Sequence, residues 1–174
     1  MAIQEVLQLG DPRLREISLP VEGPVTDEVP SIVEDLQETL CHWRETTTYG
    51  RGIAAPQIGI MKRMVWMNVD KPWLLINPQI VERSSETMVV WDACLSFLSI
   101  FCQVTRNQWI RVRYQAPSGE CHEIRVEGEL SELLQHETDH LDGILALDRI
   151  TDIKTLCARE EFEKRYRAQS PYAV

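Results

Sequence analysis

The sequence lacks two features that would point to nucleic acid or to an oxidising compartment. It holds 18 Lys and Arg against 27 Asp and Glu, a formal net charge of -9, whereas a phosphate-binding face needs a surplus of basic residues. A specific nucleic-acid partner is therefore not expected. The five cysteines are scattered and form no CxxC pair, which is typical of a reducing cytosol rather than of a disulfide framework.

Long apolar runs are missing as well. No segment approaches the roughly 18 to 20 apolar residues that cross a bilayer, and the N-terminal stretch MAIQEVLQLGDPRLRE lacks the basic and apolar regions of a secretory signal. We therefore expect a cytoplasmic protein without a membrane partner, while an organelle form that has lost a transit peptide stays open. The 174 residues, 44% hydrophobic and 26% charged, suit one globular domain.

Helical periodicity appears on either side of a strand-rich middle. The first apolar series has Asp27 as a candidate N-cap and runs through Val29, Ile32, Val33, Leu36, Leu40 and Trp43. The second runs through Leu130, Leu133, Leu134 and Leu141, and Gly143 stands where a helix C-terminus favours glycine. A short charged helix is predicted within Asp152–Arg167, followed by a tail from Ala168 to Val174.

The segment between the two main helices has the composition of short strands. The predicted strands are Met64–Val69, Trp73–Ile76, Thr87–Trp91 and Trp109–Tyr114, with interruptions at Pro72 and at Asn77-Pro78. Ala116-Pro117-Ser118-Gly119 has the layout of a tight turn between two strands. This order predicts an α+β fold in which mostly antiparallel strands pack around a central helix that carries residues 136–140.

The run His136-Glu137-Thr138-Asp139-His140 carries the clearest chemistry. Two histidines four positions apart lie on one face of a helix, so both imidazoles can reach one metal ion. Glu137 projects beside that ion, where it can take a proton from a bound water. Leucines flank the motif, and buried histidines need a partner or a function. The pattern indicates a metal-dependent hydrolase.

Two histidines and a water leave a tetrahedral metal one ligand short. No histidine follows His140, so the candidates are Cys94, upstream after a strand, or a downstream carboxylate, Glu160 or Glu161. The carboxylate choice predicts a metalloprotease. A non-catalytic module is a further alternative, in which a fourth protein ligand would close a structural site and Glu137 would have no task.

Three separated motifs resemble those of the peptide deformylase family in order and spacing. They are Gly50-Arg51-Gly52-Ile53-Ala54-Ala55-Pro56-Gln57, Asp92-Ala93-Cys94-Leu95-Ser96 and Gln135-His136-Glu137-Thr138-Asp139-His140-Leu141. The similarity extends to Asp11-Pro12-Arg13-Leu14-Arg15, Asn77-Pro78 and Asp148-Arg149. The resemblance implies a single catalytic domain at residues 1–150 and a C-terminal extension at 151–174, a short helix and then a tail.

The resemblance also implies a metal and its ligands. One divalent ion per chain would be bound by Cys94, His136 and His140. In this family the expected metal is Fe²⁺, and Zn²⁺, Ni²⁺ or Co²⁺ can replace it. A thiolate ligand suits a soft, redox-active metal.

The same resemblance implies how the substrate is held and cleaved. Glu137 would be the general acid and base, and Gln57 and the backbone N–H of Leu95 would donate to the formyl oxygen. Gly52 would bond the substrate backbone as if the peptide were an added strand. The implied reaction removes the formyl group from the N-terminal methionine of nascent peptides and releases formate, with the ribosome exit region as a transient partner.

Several residues depart from the family pattern. Asp92-Ala93 replaces the usual Glu-Gly pair, so a shorter acid must reach Arg106, and a methyl group is added where substrate backbone passes. Arg51 replaces the usual Val or Ile, and Glu129 replaces an apolar residue; the resemblance places both near the pocket for methionine. Either the two side chains pair or reach solvent, or the pocket suits a polar or charged formylated substrate, with Arg51 holding a carboxylate.

Overall fold

A computed structural model describes residues 3–22 and 28–170 of the chain. In chain order the helices and longer strands are α1 (Glu28–Thr47), β1 (Gly52–Ala54), β2 (Met64–Asn68), β3 (Pro72–Arg83), β4 (Thr87–Asp92), β5 (Ile100–Asn107), β6 (Trp109–Gln115), β7 (Cys121–Glu127), α2 (Gly128–Leu141), β8 (Cys157–Ala158) and α3 (Arg159–Arg165). The predicted α+β class is confirmed. The candidate N-cap Asp27 and the last four residues of the predicted tail lie outside the described residues.

The strands form two antiparallel sheets. The larger has the order β1-β2-β3-β6-β7 and the smaller the order β4-β5-β8. The predicted turn joins β6 and β7: Gly119 N donates to the Ala116 carbonyl at 2.8 Å, and Ala116 N donates to the Glu120 carbonyl at 2.9 Å. All four predicted strand positions are confirmed, although β3 is eight residues longer than predicted and each of the other three ends one residue away from its predicted end.

The predicted interruptions at Pro72 and at Asn77-Pro78 are wrong, because both lie within strand β3. It begins at Pro72 and continues through Asn77-Pro78 to Arg83, although Pro78 has no N–H to donate to a neighbouring strand. The register against β6 shifts at this pair, and Asn77 adopts a φ of 51°. The Asn77 amide bonds both backbone groups of Val21, at 2.8 and 2.9 Å. A bulge held by these contacts therefore accommodates the proline within one strand.

Strand β5 was missing from the sequence prediction. Its buried positions alternate through Cys102, Val104 and Arg106. A charged residue at a core-facing position disguises the apolar alternation by which strands are recognised. The strand was not predicted because Arg106 faces the core, where it is paired inside the protein.

The larger sheet lies between the two long helices, and β2 shows how. Because successive strand residues point to opposite faces, Met64 and Trp66 pack with the apolar side of α1, while Val65 and Met67 pack with α2. Helix α2 is buried along its whole length from residue 131 to 141. Its leucines fix it against the sheet, and this anchoring holds the opposite side of the helix, with its two histidines, toward β4 and β5.

The short charged helix predicted for the C-terminal segment occupies part of the predicted range. Helix α3 spans only Arg159–Arg165, because the chain first pairs with β5 as the short strand β8. Phe162 is fully buried and stacks on Phe101 with ring centroids 4.1 Å apart. Within the described residues, no helix combines the length and apolar composition that a membrane crossing requires.

Candidate metal centre and active site

Three buried side chains converge where β4 ends beside α2. Cys94 Sγ lies 3.2 Å from His140 Nε2, which lies 3.2 Å from His136 Nε2. Cys94 follows β4 in extended conformation and begins a 3-10 turn, so its sulfur points back toward the helix. The two histidines lie one helical turn apart, as their spacing predicts.

The donor set fits a divalent metal ion. Ligands at about 2.0 to 2.3 Å around a tetrahedral ion lie roughly 3.3 to 3.6 Å from one another, close to the two separations found here. Within the described part of the chain, Cys94, His136 and His140 are the group of His, Cys, Asp or Glu residues that can hold an ion. Three protein ligands leave one position open, as in catalytic rather than closed structural sites.

A buried chain of charges orients the first histidine. Asp92 accepts a bond from His136 Nδ1 at 2.8 Å, which directs the Nε2 atom of that ring toward Cys94 and His140. Arg106 donates to Asp92 at 3.0 Å and to Asp139 at 2.5 Å, and Arg149 donates to Asp139 at 2.8 Å. The shorter acid Asp92 thus contacts both His136 and Arg106.

The electrostatics of this chain favour a charged Asp92. Burial by itself raises the pKa of Asp92, but His136 and Arg106 outweigh that effect and hold the pKa well below its ordinary value. Burial likewise opposes a charge on His136, yet the neighbouring Asp92 raises the pKa of that imidazole well above its ordinary value. Carboxylates that bond a ligating histidine in this way increase its basicity as a metal ligand.

Glu137 lies in the same cavity, directly beside Gly52. Burial raises the pKa of Glu137 from 4.5 to about 7, although the nearby His136 opposes the rise. Its Oε2 atom has no hydrogen-bond partner among the described residues. A Cβ atom on Gly52 would lie 2.6 Å from Glu137 Oε1, so only glycine leaves room for the carboxylate there.

Gln57 and Leu95 lie next to the candidate metal ligands. Gln57 Nε2 lies 3.3 Å from Cys94 Sγ and 3.3 Å from Ser96 Oγ, and its Oε1 accepts from Ala54 N at 2.9 Å. The bond to Ala54 fixes which end of the amide faces the site. Leu95 begins the 3-10 turn immediately after Cys94, and both Gln57 and Leu95 line the cavity.

The cavity has a volume of about 50 Å³ and opens beside the ligands. Its lining includes Arg51, Gly52, Ala93 and Glu137, which the sequence identified, and also Glu132, which it did not. Arg51 donates to Glu132 at 2.8 Å and to Glu129 at 3.3 Å. A charged residue four positions before His136, on the buried face of α2, is the signal that could have identified Glu132.

Two aromatic residues complete the wall. Tyr49 and Trp91 line the cavity, and both are supported by the C-terminal segment. Trp91 packs edge-on against Phe162 and stacks on Tyr166, while the Tyr49 hydroxyl donates to Glu163 at 3.0 Å. Neither aromatic residue stands out in the sequence, because their neighbours come from a distant part of the chain.

The metalloprotease alternative is not favoured. Glu160 and Glu161 are exposed on α3, and Glu161 forms an ion pair with Arg165 one turn later. The thiol of Cys94 lies where that alternative would need a carboxylate. The open metal position and the buried Glu137 likewise differ from what a closed structural module requires.

Comparison with known proteins identifies the family. The family model described as polypeptide deformylase matches residues 3–156. The peptide deformylase of Thermotoga petrophila is 41% identical over 153 residues, which cover 87% of this chain and 90% of that protein. The peptide deformylase of Novosphingobium aromaticivorans is 33% identical over 193 residues, covering 97% of this chain and all of that protein.

Solved structures agree with the sequence comparison. The crystal structure of peptide deformylase from Thermotoga maritima superposes with a TM-score of 0.81 at 37% identity, covering 87% of this chain and 100% of that one. A Met-Ala-Ser-bound class I type b peptide deformylase from Acinetobacter baumannii gives a TM-score of 0.80 at 29% identity, covering 86% of this chain and 99% of that one. The chain belongs to the peptide deformylase family, a family of metal-dependent hydrolases.

Proposed function

We propose that this protein removes the formyl group from the N-terminal methionine of nascent peptides and releases formate. The observation that carries the proposal is the convergence of the Cys94, His136 and His140 donors with Glu137 and Gln57 in one buried cavity. The Acinetobacter relative described as bound to Met-Ala-Ser supports a peptide that begins with methionine.

A divalent metal held by Cys94 Sγ and the Nε2 atoms of His136 and His140 would polarise the formyl carbonyl and lower the pKa of a bound water. We assign Fe²⁺ as the native metal, with Zn²⁺, Ni²⁺ or Co²⁺ as replacements. The thiolate ligand supports this assignment, because soft sulfur donors suit a redox-active metal.

Glu137 moves the proton. It accepts a proton from the attacking water and delivers it to the amine nitrogen that leaves. A general acid and base works best when its pKa lies near the working pH, and in the metal-free protein burial raises the pKa of Glu137 from 4.5 to about 7. Water exclusion by the cavity therefore tunes the group that the reaction requires.

Gln57 and Leu95 stabilise the charge that develops on the formyl oxygen. The Gln57 side-chain amide faces Cys94 and is held by its bond to Ala54, so it is oriented before substrate binds. The Leu95 N–H is the second donor in this proposal. The loss of one such donor typically costs about 3 kcal/mol of transition-state stabilisation.

The peptide itself binds along β1. This strand lies at the end of the larger sheet, so one of its edges can accept a further strand. Gly52 lies at the start of β1 beside Glu137. Backbone bonds from Gly52 would hold the substrate with its formyl group toward the metal ligands, and Ala93 would limit the space on the facing wall.

The cellular setting completes the proposal. We place the reaction in the cytoplasm, on peptides that emerge at the ribosome exit region, with no specific nucleic-acid or membrane partner. Residues 1–150 form the catalytic domain, and residues 151–174 form an extension. The contacts of Phe162 and Tyr166 with Trp91 support a role for this extension in shaping the cavity wall.

Formate release from N-formyl-Met-Ala-Ser tests the proposal. Iron-loaded protein, kept free of oxygen, should release one formate for each Met-Ala-Ser formed. The variant Glu137→Gln should bind metal and release essentially no formate. Full activity in that variant would refute the assigned chemistry, and cleavage of internal peptide bonds by the wild-type protein would instead indicate a protease.

A further inference from the structure

Two charged side chains, Arg51 and Glu132, line one end of the cavity beside the metal ligands, and a third, Glu129, contacts Arg51. Arg51 Nη2 donates to Glu132 Oε2 at 2.8 Å, and Arg51 Nη1 donates to Glu129 Oε1 at 3.3 Å. The side chain of Glu132 is 1% exposed and that of Arg51 is 17% exposed, while Glu129 lies nearer the surface at 39%. Two carboxylates thus face one guanidinium, which leaves this end of the cavity with an excess of negative charge.

The same end of the cavity has an unused hydrogen-bond acceptor. Glu132 Oε1 is buried and has no hydrogen-bond partner among the described residues, although the side chain lines the cavity. A buried carboxylate oxygen without a donor is costly. Arg51 already donates to a carboxylate from each terminal nitrogen, whereas Glu132 Oε1 has no donor, so a hydrogen-bond donor is the group that would complete this site.

The position of Glu132 relates this acceptor to the reaction. Glu132 precedes His136 by four residues on the same face of α2, about 6 Å along the helix axis. Glu132, His136 and Glu137 line one cavity, so a peptide whose formyl group lies at the metal ligands can place the side chain of its first residue beside Glu132. The distance matches the reach of an extended side chain.

We propose that the pocket accepts, besides methionine, first side chains that end in a hydrogen-bond donor, and that Glu132 Oε1 receives that donor. An ammonium group is the strongest case, because it also offsets the excess negative charge. An acidic first side chain is disfavoured, since it would meet two carboxylates and an arginine that is already paired. The inference rests on the proposed deformylase reaction and deepens it by naming a substrate class.

Five N-formyl tripeptides that differ only in the first residue test the proposal: methionine, norleucine, glutamine, lysine and glutamate. The enzyme is compared with the double variant Arg51→Leu/Glu132→Leu, which removes the ion pair without leaving one buried charge unpaired. The ratio of kcat/KM for the lysine peptide to that for the methionine peptide should fall at least tenfold in the variant. The matched control Glu82→Leu/Arg111→Leu removes an exposed ion pair of the same kind and should leave the ratio unchanged.

A second variant keeps the outcome decisive. If the double variant does not fold, Glu132→Gln, which keeps the shape but loses the charge, should lower the lysine-to-methionine ratio in its place. An unchanged ratio in a folded variant would overturn the proposal. Preferred turnover of the glutamate peptide would also overturn it, because Arg51 would then be the recognising group.

Binding separates this proposal from the deformylase reaction itself. If no peptide releases formate, the proposed function fails, and the same peptides are titrated into metal-loaded Glu137→Gln protein by calorimetry. At least tenfold tighter binding of the lysine peptide than of the norleucine peptide would support the pocket assignment on its own. Equal binding of these two peptides would overturn it.

Discussion

Replacing Glu137 with glutamine should abolish formate release and, at the same time, stabilise the metal-free protein. The carboxylate is fully buried, with a pKa raised by burial from 4.5 to about 7. Between these two values the folded state holds a proton that the unfolded state releases. The contribution of Glu137 to the free energy of unfolding is therefore fully present below pH 4.5, and it is lost as the pH rises through 7.

The size of this effect follows from the pKa. A rise from 4.5 to about 7 corresponds to about 3 kcal/mol of unfolding free energy lost at pH 8. Glutamine carries no charge at any pH, so Glu137→Gln should gain about 3 kcal/mol over the wild-type protein between pH 4 and pH 8. For a domain of this size, that corresponds to roughly 6 to 12 °C in Tm.

Urea unfolding of chelator-treated protein at pH 4 and pH 8 measures the gain. Comparing the two pH values cancels the constant cost of burying an amide. The exposed Glu160→Gln on α3 is the matched control and should show no pH-dependent gain. A stability difference between wild-type protein and Glu137→Gln that is the same at both pH values would refute the reasoning. Added metal should shrink the gain, since a nearby divalent cation favours the charged carboxylate.

Other substitutions test the ligands, the close contacts and the extension. Cys94→Ser should reduce bound metal to a small fraction of one ion per chain, as measured by atomic emission. Gly52→Ala should lower kcat by about 100-fold with metal content unchanged, because the new Cβ displaces Glu137. Asp92→Asn should weaken metal affinity about 10- to 100-fold in a competition titration. Phe162→Ala should cost about 3 to 5 kcal/mol in urea unfolding, since this ring is fully buried.

The sequence by itself determined the features that depend on local spacing. Two histidines four residues apart must share a helix face, and Glu137 between them must project beside a shared ion. The apolar periods placed α1 and α2, and the β-rich runs placed four of the strands. These features need no knowledge of distant residues, because helix and strand geometry fix them within a few positions.

The tertiary structure decided which distant residues join the helix. The residues alone left Cys94, Glu160 and Glu161 as third ligands, and only the approach of β4 to α2 placed the Cys94 sulfur 3.2 Å from His140. In the same way, only packing showed that Arg51 is held by Glu132.

Strand β5 and the unbroken β3 escaped sequence analysis for a related reason. Arg106 is buried because Asp92 and Asp139 pair with it, and Pro78 is tolerated because Asn77 bonds Val21 across the fold. By local preference, an arginine or a proline argues against a strand. In this fold, partners far along the chain compensate for the free-energy cost of placing each residue there. Long-range pairing, which no local pattern records, therefore fixed the arrangement of the candidate metal centre and of the pocket beside it.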